Sequence, residues 1–247
     1  MSESKTSSKV LLLMAVCMVL IMAFSPLSYR FGWVPLLPSL GSLGVAILGS
    51  ALVWLSGLVM LVSAVRKQLS ADRRVLLVAL VLAALPIAAM IPQLLKVGSV
   101  PSIHDISTDT VEPPEFDVMV KRRIHAMNDL EYADADHTAE QMAALQEEFY
   151  PEVQSLVSDM SVEEAQTRAR TVLEDMGLDI IAANRIGLIE ATATTFWFGF
   201  KDDLVVRIRA EGSKSIIDVR SVSRVGQSDL GVNAARILDF LEKFSDT

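Results

Sequence analysis

The residues best suited to chemistry lie between Arg220 and Arg236. Arg220, Ser223, Arg224, Ser228, Asp229, Asn233 and Arg236 crowd around a glycine-flanked turn that leads into a predicted helix. The first N–H groups of a helix have no partner within it, so together with a guanidinium they suit a carboxylate or phosphate ligand. Trp197 would add a flat apolar contact to such a ligand. The same residues also fit a structural arrangement, in which Ser228 and Asp229 cap the helix and an arginine pairs with Asp218 or Asp229 to hold the turn.

A second group, His104, Asp105 and Asp109, has side chains able to bind a metal or move a proton. It lies on an extended segment with no second histidine placed to help, and structural hydrogen bonding is the expectation. The acidic run Asp129, Glu131, Asp134, Asp136 and His137 lacks the turn glycine and terminal glutamate of a calcium loop, which leaves it a solvated loop. Nucleophile-elbow, zinc-protease, phosphate-loop and dinucleotide patterns are absent. No catalytic residue, metal ligand or cofactor is therefore assigned. Phe196, Trp197, Phe198 and Phe200 bunch at one hairpin. Core and turn packing is expected of them, the alternative being an exposed tip that touches lipid or a partner.

These residues all belong to one half of an asymmetric chain. Residues 1–98 hold eight Lys or Arg and two acids, Glu3 and Asp72, whereas residues 99–247 hold fourteen and twenty-eight, a formal charge of −14. The first part reads as a membrane anchor and the second as one soluble domain. The acidity of the second argues against nucleic acid as a partner and against anionic lipid head groups. Cys17 is the single cysteine and lies within an apolar run, so no intrachain disulfide can form.

Three charge-free runs, 10–27, 43–65 and 75–95, are each long enough to cross a hydrocarbon core about 30 Å thick. The N-terminal flank (Lys5 and Lys9 against Glu3) and the 66–74 loop (Arg66, Lys67, Arg73, Arg74 against Asp72) are basic, while the loop between the first two runs carries only Arg30. The bias of basic residues toward the cytoplasm then places the N-terminus inside and residues 99–247 outside. In a bacterium this is a multi-pass inner-membrane protein with a periplasmic C-terminal domain. Ser42, Ala46 and Ser50 recur every fourth residue, which permits close helix contact and is read as packing among the three helices.

In the soluble part, residues 99–117 read as an extended tether and 117–127 as a short helix. Thr138/Gln141 and Ser161/Glu164 are capping boxes that open helices over 138–149 and 162–176. Met142, Leu145 and Phe149 share one helix face, and Ala165, Ala169, Val172, Leu173 and Met176 share another. Alternating runs joined by short Gly-containing turns predict four antiparallel strands between 178 and 225. Leu204, Val206, Ile208, Ile217 and Val219 point to the core, while Arg207, Arg209, Asp218, Arg220 and Arg224 point outward. A last helix starts near Ser228. The expected fold is a membrane-anchored α+β protein: three transmembrane helices, then a four-stranded antiparallel sheet backed by helices on one face.

Ile103 to Asp109, Thr195 to Asp203 and Val219 to Ile237 resemble the domain-of-unknown-function family 1499, found in bacteria and in plant chloroplasts. Tyr150-Pro151-Glu152-Val153 fits the same pattern, and the likeness spans about 101–244. No activity is established for that family, so the resemblance implies no catalytic residue. The strand and helix order is also similar to the helix-grip domains of an outer-membrane assembly lipoprotein, a likeness of fold alone. The expected function is a membrane-tethered binding or scaffolding module of the cell envelope, taking a protein, an anionic small molecule or a lipid. Enzymatic activity is left open, and the alternative is an envelope hydrolase or transferase using His104 with Arg224 and Arg236.

Overall fold

The computed structural model describes residues 4–134 and 136–246. Glu3 of the N-terminal flank and residue 135 of the acidic run lie outside the described residues. The chain divides into two compact units, Met1–Leu95 with Phe196–Gly199, and Lys96–Thr195 with Phe200–Thr247.

The first unit holds α1 (Thr6–Arg30), α2 (Leu36–Arg66) and α3 (Ser70–Lys96), each long and apolar enough to cross a membrane. Each outruns its apolar stretch by a polar or basic turn. Pro26, Pro86 and Pro92 lie inside helices without ending them, as apolar surroundings with packed neighbours allow. Ala46, Ser50 and Gly57 are buried along α2. A Cβ at Gly57 would stand 2.9 Å from Leu80 Cδ2 and 3.2 Å from Leu11 Cδ2, so a larger residue there would push leucines of both neighbouring helices aside. Asp72 is buried and accepts from the backbone N–H of Lys5, the residue preceding α1, at 2.8 Å and from the Ser8 hydroxyl at 2.7 Å.

The second unit contains β1 (Asp105–Ser107), a 3-10 turn (Met119–Arg122), α4 (Ala139–Phe149), β2 (Leu156–Ser158), α5 (Val162–Asp175), β3 (Asp179–Arg185), β4 (Leu188–Thr194), β5 (Lys201–Glu211), β6 (Lys214–Ser223) and α6 (Val232–Ser245). The sheet has six strands in the order β1-β6-β5-β4-β3, with β2 also on β6. Every pairing is antiparallel. The expected four strands are β3 to β6. Two more, β1 and β2, line the free edge of β6, and at three residues each they are too short to show alternation.

Both capping boxes form at α4 and α5. Helices α5 and α6 cover one face of the sheet, where Ile189, Leu204, Val206, Ile217 and Val219 meet Ala169, Leu173, Ile237 and Phe240. The other face departs from expectation. It is covered by the strap of residues 109–132, whose Phe116 and Met119 pack on Val205 and Val222. Asp218 and Arg220, expected to face outward, are 0% and 3% exposed. Alternation correctly separated the two faces but could not show that a non-repetitive segment buries the polar one.

Two local corrections follow. On α4 the buried residues are Met142 and Gln146, while Phe149 is exposed. Gln146 Oε1 accepts from the Ser107 N–H at 2.8 Å and its Nε2 donates to the Ser107 carbonyl at 2.6 Å, so it stands in for a strand beside β1. The need to satisfy a buried peptide outranks the apolar stripe. Helix α6 begins at Val232, three residues beyond the predicted cap. Leu230 and Gly231 are both left-handed, with φ of +54° and +78°, and this turns Asp229 back onto the helix amides.

Truncating the shared core should be costly. Ile217→Ala is expected to destabilise the domain by about 2–5 kcal/mol. Ile186→Ala, in an exposed turn, should stay within about 0.5 kcal/mol. Thermal unfolding of the full chain in detergent checks the pair.

Candidate functional site

The sheet divides the predicted cluster in two. Successive residues of β6 point to opposite faces, so Arg220 and Arg224 turn to the strap, while Ser221 and Ser223 turn to α6.

On the strap face, Arg220 donates to Asp105 twice, from Nε to Oδ1 at 3.0 Å and from Nη2 to Oδ2 at 2.6 Å. It also donates to the carbonyls of Pro114 at 3.2 Å and Leu130 at 2.8 Å. Its guanidinium lies 5.8 Å from the Phe116 ring centre and 5.6 Å from that of Tyr132. One side chain thus ties β6 to β1 and to both ends of the strap. Two residues beyond Val222, Arg224 grips Asp203 through Nε and Nη2, each at 2.8 Å. Arg123 reaches the same carboxylate at 2.7 Å and Thr192 donates to it at 2.7 Å. Burial alone would push the Asp203 carboxyl up, but the bonds from Arg224, Thr192 and Arg123 overcome it and hold the group below the usual carboxylate range. Asp109 takes Arg207 at 2.9 Å and Arg209 at 3.3 Å, and both arginines also meet the fully buried Asp218.

On the helix face, Asn233 is the hub. Its Oδ1 accepts from Ser221 at 2.7 Å and Arg236 at 2.6 Å, and its Nδ2 donates to Ser223 Oγ and to the His104 carbonyl, both at 3.0 Å. Arg236 also pairs with Asp202 at 2.7 Å. Asp229 accepts from the Gly231 N–H at 2.8 Å and the Asn233 N–H at 2.7 Å, so its own carboxylate occupies the start of α6. Burial pushes that carboxyl up against the pull of these two bonds. Ser228 Oγ reaches the Pro101 carbonyl at 3.3 Å. His104 is buried and joins this side through its backbone, while its Nδ1 has no hydrogen-bond partner among the described residues. Arg224 and Arg236 therefore lie on opposite faces, and the set His104, Arg224 and Arg236 is not assembled at one point.

Trp197 stands apart in the β4–β5 turn. It is 55% exposed, and its ring meets Phe196 edge-on at 5.2 Å. A cavity of about 710 Å³ lies beside α4, lined by residues that include Thr108, Glu140, Gln146, Glu147 and Tyr150. Among the described residues its lining carries no Lys, Arg or His. Burial, aided by the charges of Asp229 and Glu152, pushes the Tyr150 hydroxyl up to about 12 and keeps it protonated. Among the described residues no group of three or more His, Cys, Asp or Glu is arranged to hold a metal ion.

Sequence reasoning missed Arg123, Asp202, Asp203 and Glu190. Glu190 is 0% exposed and accepts the N–H groups of Asp117, Val118 and Met119 at 2.6, 3.0 and 2.6 Å, which fixes the turn of the strap. A signal was available: a lone acid within the apolar run of β4 needs a donor, and the amides opening a short helix supply several.

A family model described as a protein of unknown function (DUF1499) matches residues 105–244, more than half of the chain. Comparison with curated proteins and with solved structures finds no match.

Ionised Asp203 stabilises the fold at any pH above the ordinary carboxylate pKa of about 3.9, and that contribution disappears as the pH falls through its lower folded value. Asp203→Asn should cost about 3–5 kcal/mol at pH 7, because it strands the buried guanidinium of Arg123 and the half-buried one of Arg224. Its stability should also fall less steeply than that of the wild type below pH 4. Unfolding midpoints of the full chain between pH 3 and 7 test both expectations.

Proposed function

Because the chain belongs to the DUF1499 family, whose description assigns no activity, we propose its function from the geometry: a membrane-tethered binding or scaffolding module of the cell envelope. The observation that carries this reading is the pairing of the candidate arginines. Arg220, Arg224 and Arg236 each meet an aspartate, Asp105, Asp203 and Asp202, within the domain. Groups so matched hold a shape well and are poorly placed to activate a nucleophile or stabilise a new negative charge. An envelope protein fits such a surface better than a free anion or lipid head group, because a free anion would have to displace an aspartate from each arginine.

Within this reading, Arg220, Ser223, Asp229 and Asn233 keep the surface in shape. Arg224, Ser228 and Arg236 retain part of their side chains at the surface and touch the partner. The basic flanks around α1 and the α2–α3 loop support an inner-membrane location with a cytoplasmic N-terminus and a periplasmic domain.

Two measurements test this. A photocrosslinking residue at Gln227, exposed beside Arg224, should give one discrete protein adduct in intact cells, and the same probe at Ser213, in the turn at the opposite end of β6, should give none. Equal labelling from both positions, or none from either, contradicts the assignment. A phosphatase that folds only in the periplasm, fused after Thr247, should be active, and a reporter that requires the cytoplasm should be silent at that site. The reverse pattern overturns the orientation.

A further inference from the structure

The cavity of about 710 Å³ beside α4 has the size of a small-molecule site and takes no part in the arginine networks. Its walls come from α4, from residues just beyond β1 and from residues just ahead of β2. Those walls are held in place. Gln146, 3% exposed, is bonded to Ser107 through both ends of its amide. Thr108 donates its N–H to the Val219 carbonyl at 2.9 Å, and its hydroxyl oxygen accepts from the Val219 N–H at 2.8 Å. The Val153 N–H donates to the Tyr150 carbonyl at 3.0 Å. A cavity built in advance loses little to ordering when a ligand enters it.

The charge of the lining has one sign. Glu140 and Glu147 both line the cavity, and no basic residue among the described ones joins them there. They stand seven residues apart on α4, so they share one helix face with about 10 Å of rise between them. Ala143 and Ala144 line the cavity between the two acids, and Pro151 and Val153 add apolar wall. Its own backbone N–H and the Thr138 hydroxyl, at 2.8 Å, hold the Glu140 carboxyl below the usual carboxylate range. Tyr150 also lines the cavity, and its buried hydroxyl has no hydrogen-bond partner among the described residues. Such a group is left over by the fold itself. Arg207 and Arg209 reach the neighbouring Asp109 but are matched by it and by Asp218. The formal charge of −14 on residues 99–247 raises the local concentration of any cation.

We propose that this cavity binds a linear aliphatic polyamine, with ammonium groups at Glu140 and Glu147 and the methylene chain along Ala143, Ala144 and Val153. An anion would meet two carboxylates there with no counter-charge, and a neutral ligand would make no use of them. A metal ion fits poorly, because carboxylates two helical turns apart cannot share one ion. A flexible chain with a cation at each end matches acid, apolar wall and acid in that order. None of these residues belongs to the partner surface of Arg224, Ser228 and Arg236, so the proposal can fail while that reading stands.

Calorimetric titration of the full chain in non-ionic detergent with spermidine tests this. The wild type should show saturable binding at one site. Glu140→Gln with Glu147→Gln should weaken it about tenfold or more. Glu163→Gln with Asp175→Asn removes the same charge from exposed positions of α5 and should leave the affinity within about twofold. Ala144→Trp keeps the charge but fills the cavity, and should abolish binding. All these substitutions fall on exposed helix positions, and an unchanged unfolding midpoint checks that each variant is folded. Equal weakening by the two charge pairs reports diffuse attraction and overturns the proposal. Absence of saturable binding, or an Ala144→Trp variant that binds as the wild type does, overturns it too. So does a lysine peptide that binds where spermidine does not.

Discussion

The pairing of Arg220 with Asp105 is the interaction on which the soluble domain depends. A guanidinium and a carboxylate buried together cost several kcal/mol each to desolvate, and they are tolerated only when nearly every donor and acceptor is used. Arg220 meets that condition by spending its donors on Asp105, Pro114 and Leu130. These lie on three separate stretches of chain, so the full set of bonds forms only when β1 and both ends of the strap are in place. Glu190 adds the middle of the strap by accepting three successive N–H groups. The strap is thereby docked as a unit, because any partial docking leaves a buried charge without its partner.

That dependence explains why residues that resemble a ligand site are organised as they are. The β6 backbone separates Arg220 and Arg224 from Ser223, Asn233 and Arg236, and each set closes on itself. On one side the arginines clamp the strap. On the other, Asn233 joins β6, α6 and the chain entering at His104. Together the two networks fasten the entering chain and the strap to one end of the sheet. Polar residues that read as chemistry are engaged in holding that end of the sheet together.

Much of the architecture was legible because it follows local rules. Capping boxes at Ser161 and Thr138 mark helix starts within a residue, and Gly187 and Gly212 mark hairpin turns. The apolar spans of α1 to α3 exceed anything a small soluble core requires. What escaped depends on non-local contact. β1 and β2 are strands only because the edge of β6 is free to receive them. Arg123 appeared as one more basic residue in a polar segment, and nothing nearby in sequence reveals that Asp203, eighty residues on, awaits it. The candidate residues between Arg220 and Arg236 were read as one cluster around a turn. Their division between two faces was already implicit in the alternation along β6, but the strap that buries one face was not.

Arg220 fastens the strap and β1 to the sheet as one unit. Amide hydrogen exchange of the full chain in detergent, wild type against Arg220→Met, tests it most directly. Loss of protection across residues 105–107 and 109–132 together, with the β4–β5 pairing still protected, is the predicted result. A strap in the variant that stays as protected as in the wild type would contradict the account.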